Sequence, residues 1–348
     1  MSVEMTLENE RRAKNVLKSM NDDYTVAMET IQEQIDAIFG RYLVDNKLDV
    51  SKAKQYLSDA KHKTWKKSIK QYMEDILAYG LDSVEGQALW LELETLSAKT
   101  RIDRFEQLKS IIVANMAKIA CVQQQKITEH LEEIFKDDYY QNMYNAYAMG
   151  SEEVLKLMDE NKVGVTNSFV YEIITQQWVG SAFYNRVWRN EYNMSFSLYD
   201  IITQVLIAGR SPKELAAEIE KKFASDKKTV EALILTETAH VKMESDLYSF
   251  EKEGVTMVQY KATLDGRTCS QCSPKDGEIY NLVEVEQGKN KPPMHSRCRC
   301  NLVPYDDYLE KYTRKYGTRI ARDKKGRNIF VEGDMTYDEW SKKYSNKE

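Results

Sequence analysis

The stretch TCSQCSPKDGEIYNLVEVEQGKNKPPMHSRCRC, residues 268–300, decides how this chain is read. It holds Cys269, Cys272, Cys298 and Cys300, four of the five cysteines, together with His295. The spacing is C-x2-C, a long gap, then H-x2-C-x-C. Two close-set pairs of soft ligands joined by a loop let a short segment wrap one tetrahedral ion. One tight turn aims the sulfurs of Cys269 and Cys272 at a common point, and His295 with Cys298 supplies the complementary pair. Cys300 lies two positions beyond Cys298, so a strand would turn both to one face. The expected ligands are therefore Cys269, Cys272, His295 and Cys298, with Cys300 in reserve. Zinc suits thiolate and imidazole donors that have no redox motif beside them. Four protein ligands close the coordination sphere, which makes the site structural, not catalytic. Two other readings stay open: reduced thiols in a hairpin held by hydrogen bonds, and a disulfide.

Extended to Pro304, the same window holds four of the chain's five prolines, Pro274, Pro292, Pro293 and Pro304. Its flanks alternate. VTMVQYKATL (255–264) and EIYNLV (278–283) read as strands, with DGRT and KDGE as turn signals around the first cysteine pair. NKPPMHSRCRCNLVPY (290–305) reads as an irregular return. Cys121 falls in a helical apolar stripe and reads as core.

Upstream, the pattern is helical. Leu17, Met20, Tyr24, Met28, Ile31, Ile35, Ile38 and Tyr42 recur at steps of three and four, predicting one helix over 4–44 with a coiled-coil-like seam. The seam serves antiparallel packing within the chain or an intermolecular coiled coil. A second helix is expected from Ser51 to about 75, a break at Gly80 and Gly86, and a third helix over 100–136 carrying Ile102, Phe105, Leu108 and Ile112. DDYYQNMYNAYAMG then leads into a less regular part. Two helices joined at Gly209 follow, the second opened by Ser211 as N-cap, Pro212 and Glu214, and a further helix covers 226–252. The tail from Asp306 reads as a short helix, a basic run, a strand NIFVE (328–332) and a last helix TYDEWSKKY (336–344). The fold class is α+β: elongated helical N-terminal and middle regions with a small C-terminal β-containing zinc module. Its expected parts are 1–150, 151–254, 255–305 and 306–348.

The bulk numbers fit that division. At 348 residues there is room for two or three domains. Charged residues at 30% against 42% apolar suggest helices with solvated faces. A net charge of -5 argues against whole-protein affinity for nucleic acid. The first residues carry no apolar signal segment, and no run is long enough to span a membrane. A reducing, cytosolic setting is expected, where clustered cysteines favour metal over disulfide.

Any DNA contact must therefore be local. From Lys311 to Arg327 the chain has eight basic residues, Lys311, Arg314, Lys315, Arg319, Arg322, Lys324, Lys325 and Arg327, against the single acid Asp323. Such a run lies on DNA phosphates or is a solvated surface. Catalysis finds less support. A ββα-type metal nuclease needs a second histidine or asparagine beside the catalytic one, and the four histidines, His62, His130, His240 and His295, form no HExxH pair. Glu237 and His240, one helical turn apart, make either an acid/base pair or a helix–helix contact. There is no phosphate-cradling glycine loop and no nucleophile elbow.

YKATLDGRTCSQCSPKDGEIYNL (260–282) followed by NKPPMHSRCRCNLVPY (290–305) resembles the signature of the phage head morphogenesis family, the Mu F-like minor head proteins. ALILTETAHV (232–241) is similar to that family's R-T-E helix, PKELAAEIEKKF (212–223) to the helix before it, and MTYDEWSKKY (335–344) to the ending of full-length minor capsid proteins of tailed phages and prophages. Two positions depart: Ser296 stands where the family usually has proline, and Cys300 where many relatives have serine or threonine. The resemblance implies a non-enzymatic protein present in few copies inside the virion and assembled in the host cytoplasm. It further implies association with the portal protein and capsid components and an effect on DNA packaging or ejection, with neither membrane nor small-molecule substrate. Some relatives carry fused toxin domains, and this sequence leaves no room for one after the module.

Overall fold

The computed structural model describes residues 3–45, scattered positions between 75 and 89, 104–207 and 212–344. The helix expected over 51–75 falls almost wholly outside them, as do Gly80, Ile102, Gly209 and the Ser211 cap. Gly86 is helical, with its N–H on Ser83 Oγ at 2.9 Å.

Two helices open the chain, α1 (Val3–Ser19) and α2 (Asn21–Asp45). The single helix expected over 4–44 is broken at Met20, whose N–H bonds three residues back to Leu17 O. Asp22 and Asp23 then occupy the first turn of α2, where acidic side chains are favoured. Helix α3 (Arg104–Ala148) runs past its expected end at 136 and through the tyrosine-rich stretch, and the less regular part follows it. Its apolar stripe simply continues: Leu131, Phe135, Tyr139, Met143 and Ala146 are all buried at helical spacing. Gly150, at φ +79°, ends it with Ser151 N–H on Ala146 O. Ser151 caps α4 (Glu152–Asp159) and Thr166 caps α5 (Asn167–Thr175) through their side-chain oxygens.

Helix α6 (Phe183–Ile207) precedes α7 (Pro212–Lys252). The expected division of α7 near residue 226 is absent. Ile219, Phe223, Asp226, Val230 and Ile234 lie buried along one uninterrupted face, with no glycine or proline to break it. Gly254, at φ +73°, closes α7 with Val255 N–H returning to Phe250 O. A three-stranded antiparallel sheet follows, ordered β2-β1-β3 from β1 (Met257–Lys261), β2 (Ile279–Asn281) and β3 (Asn301–Pro304). Helix α8 (Asp307–Tyr316), the hairpin of β4 (Thr318–Arg322) with β5 (Asn328–Glu332) and α9 (Tyr337–Tyr344) complete the tail. Among the described residues no helix is long and apolar enough to cross a membrane.

The chain forms two compact units interleaved in sequence. One comprises Met1–Asn15, Thr128–Gly180 and Glu231–Glu348, the other Val16–Ile127 and Ser181–Val230. In the first, a buried polar seam aligns α7 with α3. Lys242 pairs with Asp246 at 2.5 Å, Asn142 donates to Asp246 and to Ser249 at 2.9 Å each, and His130 meets Thr238 Oγ1 at 2.9 Å. Each buried charge there has its partner, which is the condition for burying it.

The second unit buries a different cluster. Tyr24, from the predicted seam, donates to Asp226 at 2.8 Å and packs edge-on to Phe223 within the unit. Gln123 Nε2 donates to Tyr24 Oη at 2.6 Å and to Glu191 Oε1 at 2.7 Å. Burial and the Asp226 charge push the Glu191 carboxyl up; burial also raises Asp226, against its bond from Tyr24 and the charge of Lys222. Both carboxyls are thus held above their ordinary range. A carboxyl raised in the folded state contributes stability at acid pH that is lost as pH climbs through the raised value. Glu191→Gln should remove that loss and raise the unfolding temperature at pH 8 by roughly 2–4 °C, about 1 kcal/mol for a unit this size. Thermal circular dichroism at pH 5 and pH 8 checks this, and the variant's advantage should vanish at pH 5.

Candidate metal centre

Strand β1 is the spine of the site. By alternation Val258 and Tyr260 point inward, and Ala262 follows them. They pack with Met243 and Phe250 of α7 and with Cys272, Cys298, Cys300 and Leu302 in one core. The first cysteine pair sits on a tight turn: Cys272 N–H and Ser273 N–H both bond to Cys269 O, and a single 3-10 turn, Ser273–Lys275, follows. The second turn closes with Cys298 N–H on His295 O at 3.1 Å. Arg297 takes the left-handed conformation there, φ 60°, at a cost of about 1 kcal/mol for a residue with a Cβ. Two bonds to α7 hold it: its N–H on Thr236 Oγ1 at 3.0 Å and its guanidinium on Glu231 at 3.0 Å.

The two turns bring three of the four expected donors, Cys269, Cys272 and His295, into one group, and bring Cys298 to Cys272. Cys269 Sγ lies 3.2 Å and Cys272 Sγ 3.4 Å from His295 Nε2, and Cys272 Sγ lies 3.9 Å from Cys298 Sγ. Ligands at about 2.3 Å (sulfur) and about 2.0 Å (nitrogen) around a tetrahedral ion stand about 3.8 Å apart sulfur to sulfur and about 3.6 Å sulfur to nitrogen. The three observed separations are near these values, but Cys298 groups with Cys272 and Cys300 and not with Cys269 and His295. Ser296 O lies 2.8 Å from His295 Nδ1 and accepts its proton, which leaves the lone pair on Nε2, the atom facing the sulfurs.

Cys300 departs from expectation. Residues 298–300 precede the sheet, and β3 begins only at Asn301. Even so, the sulfurs of Cys272, Cys298 and Cys300 lie within 4.8 Å of one another, as do the donor atoms of Cys269, Cys272 and His295. The five donors thus form two triads that share Cys272. Hydrogen bonds from the Cys272 and Cys300 thiols pull Cys298 far down against its burial, while bonds to Cys298 and Cys300 push Cys272 up. Cys121 is reduced and half-buried in α3.

Two aspartates read from sequence only as turn residues turn out to frame the site. Asp265 is buried and accepts a forked pair from Arg299, with Nη2–Oδ1 at 2.9 Å, and the Arg267 N–H at 2.9 Å. Asp276 accepts Ala262 N–H and Tyr337 N–H at 2.7 Å each and both terminal nitrogens of Arg319. It ties the cysteine window to β4 and α9.

The basic run divides accordingly. Arg319 is buried and engaged by Asp276, Met335 O and Ala262 O, so its charge is used inside the fold. Arg322 is half-buried, 3.9 Å from Asp265. Arg314 pairs with Glu310 and Asp334, and Arg327 with Asp323. Lys311, Lys315, Lys324 and Lys325 are exposed. Glu237 and His240 are both buried: Glu237 accepts the Trp178 indole N–H at 3.0 Å, and Trp178 stacks on His240 with centroids 4.2 Å apart.

Residues 197–303 match the family model described as phage Mu protein F like protein. This segment is similar to the Mu F-like proteins of phage head morphogenesis. The match contains both turns of the site and the whole of α7, on which the second turn is held. No curated protein and no solved structure matches the chain.

Burial raises Asp265, but the bonds and charge of Arg299 outweigh it and hold the carboxyl below its usual range. Its contribution is present above about pH 4 and lost as pH falls through the depressed value. Asp265→Asn leaves Arg299 without its counter-charge and should cost about 3 kcal/mol. Urea unfolding at pH 7 measures the loss, and limited proteolysis should show cleavage concentrated in 258–304.

Proposed function

We propose that this protein is a structural minor head protein of a tailed phage or prophage, associated with the portal, which assists capsid assembly and DNA packaging or ejection. Its Cys/His cluster is read as a structural zinc site of Cys269, Cys272, His295 and Cys298, with Cys300 as a buried neighbour. The observation that carries this is the convergence of two knuckle turns on Cys272 inside a Mu F-like segment. Zinc would supply a cross-link between the 269–272 and 295–298 turns. The residues do the rest: Ser296 O fixes the imidazole tautomer, and Asp265 and Asp276 lock the flanking backbone. A closed site of this kind stiffens a docking surface and offers no open position for substrate. The protein acts without enzymatic activity, inside the capsid after assembly in the host cytoplasm, with portal and capsid components as partners. Residues 255–305 act as the module and 306–348 as its tail.

Cys269→Ser should release the metal and abolish co-purification with portal or procapsid, leaving the helical circular dichroism within a few per cent of wild type. Infectious heads formed at normal yield by the variant would overturn the assignment. A second reading, DNA contact through the tail, is favoured by the exposure of Lys311, Lys315, Lys324 and Lys325. Replacing these four by glutamate, which leaves the buried Arg319 in place, should abolish salt-sensitive DNA binding in a gel-shift titration.

A further inference from the structure

Tyr260 sits on the central strand of the sheet with no solvent exposure, packed in the core that contains Cys272, Cys298 and Cys300. Its hydroxyl has no hydrogen-bond partner. Two other deeply buried tyrosines do not share this condition: Tyr24 donates to Asp226 and Tyr139 to Val163 O. Leaving a buried hydroxyl unbonded is costly, whereas phenylalanine would fill the same space without that cost. The polar atoms of the core around it are the sulfurs of Cys272, Cys298 and Cys300. A neutral thiol is a weak acceptor, while a metal-bound thiolate is a strong one.

We propose that Tyr260 is a positioning residue of the metal site: once the ion binds, its hydroxyl donates a hydrogen bond to the thiolate of Cys272, the sulfur common to both triads. This rests on the zinc reading above. It makes the ion and the tyrosine mutually dependent. The metal creates the acceptor that the buried hydroxyl lacks, and the hydroxyl spreads the negative charge gathered on the ligand sulfurs. Second-shell donors of this kind typically change metal affinity by 10–100-fold. The sign of the effect separates this role from simple packing. Tyr260→Phe should leave the metal-free chain at least as stable as wild type, because it removes an unbonded buried hydroxyl, yet weaken the loaded chain.

The experiment compares full-length wild type and Tyr260→Phe, both reduced, with and without Zn²⁺ or Co²⁺. Competition against a chromogenic chelator should show zinc held about tenfold more weakly by the variant. The sulfur-to-cobalt charge-transfer band should move to lower energy, since a hydrogen bond to the sulfur stabilises its donor electrons. Thermolysin digestion of the metal-free forms should be equal or slower for the variant. Equal zinc affinity with an unmoved cobalt band would overturn the proposal, as would a variant destabilised equally with and without metal. A wild-type chain that takes up neither ion would overturn the zinc reading itself, and this proposal with it.

Discussion

The meeting of two backbone turns at the sulfur of Cys272 is the constraint from which the C-terminal module takes its form. Each turn is short and locally closed, one by Cys269 O and the other by His295 O. Neither gains much from its own burial. Together they complete a core in which cysteine side chains occupy places that leucine or valine would fill in a larger sheet. A three-stranded sheet with strands of three to five residues has few apolar side chains to cover one face. Soft ligands around one ion hold such a segment more firmly than dispersion alone, because the cross-link is formed only when the fold is.

Around that point the polar framework is unusually complete. Asp265 and Asp276 flank the first cysteine pair, and each accepts from an arginine far along the chain, at separations of 34 and 43 residues. These pairs convert two reverse turns into fixed joints. Helix α7 supplies the platform below, through Thr236 and Glu231 to the second turn and through Met243 and Phe250 to the sheet. Its own placement against α3 rests on the Asn142 amide, which donates to Asp246 and Ser249, and on His130 at Thr238. A change in that seam would therefore reach the donors without touching them.

What could be read from the residues was the local part. The C-x2-C and H-x2-C spacings mark turns whose closure needs no distant partner, and the alternation of 255–264 marks β1. The burial pattern carried helices α3 and α7 further than their expected ends, because neither glycine nor proline interrupts the stripe at Phe135 or at Asp226. The break at Met20 has no such punctuation and was illegible. Asp265 and Asp276 looked like ordinary Asp-Gly turns, since nothing in their neighbourhood announces Arg299 or Arg319. Arg319 was grouped with surface charges for the same reason: a run of basic residues does not say which of them a strand turns inward. Cys300, read from the sequence as a strand residue facing the same way as Cys298, lies just before β3, with its sulfur within 4.8 Å of those of Cys272 and Cys298.

The most direct test of the metal centre is zinc K-edge X-ray absorption on the reduced, full-length protein. The account predicts about one zinc per chain, with three sulfur neighbours at about 2.3 Å and one nitrogen at about 2.0 Å. A protein that purifies without zinc and takes up none, or a bound ion surrounded only by light oxygen and nitrogen neighbours, would contradict it.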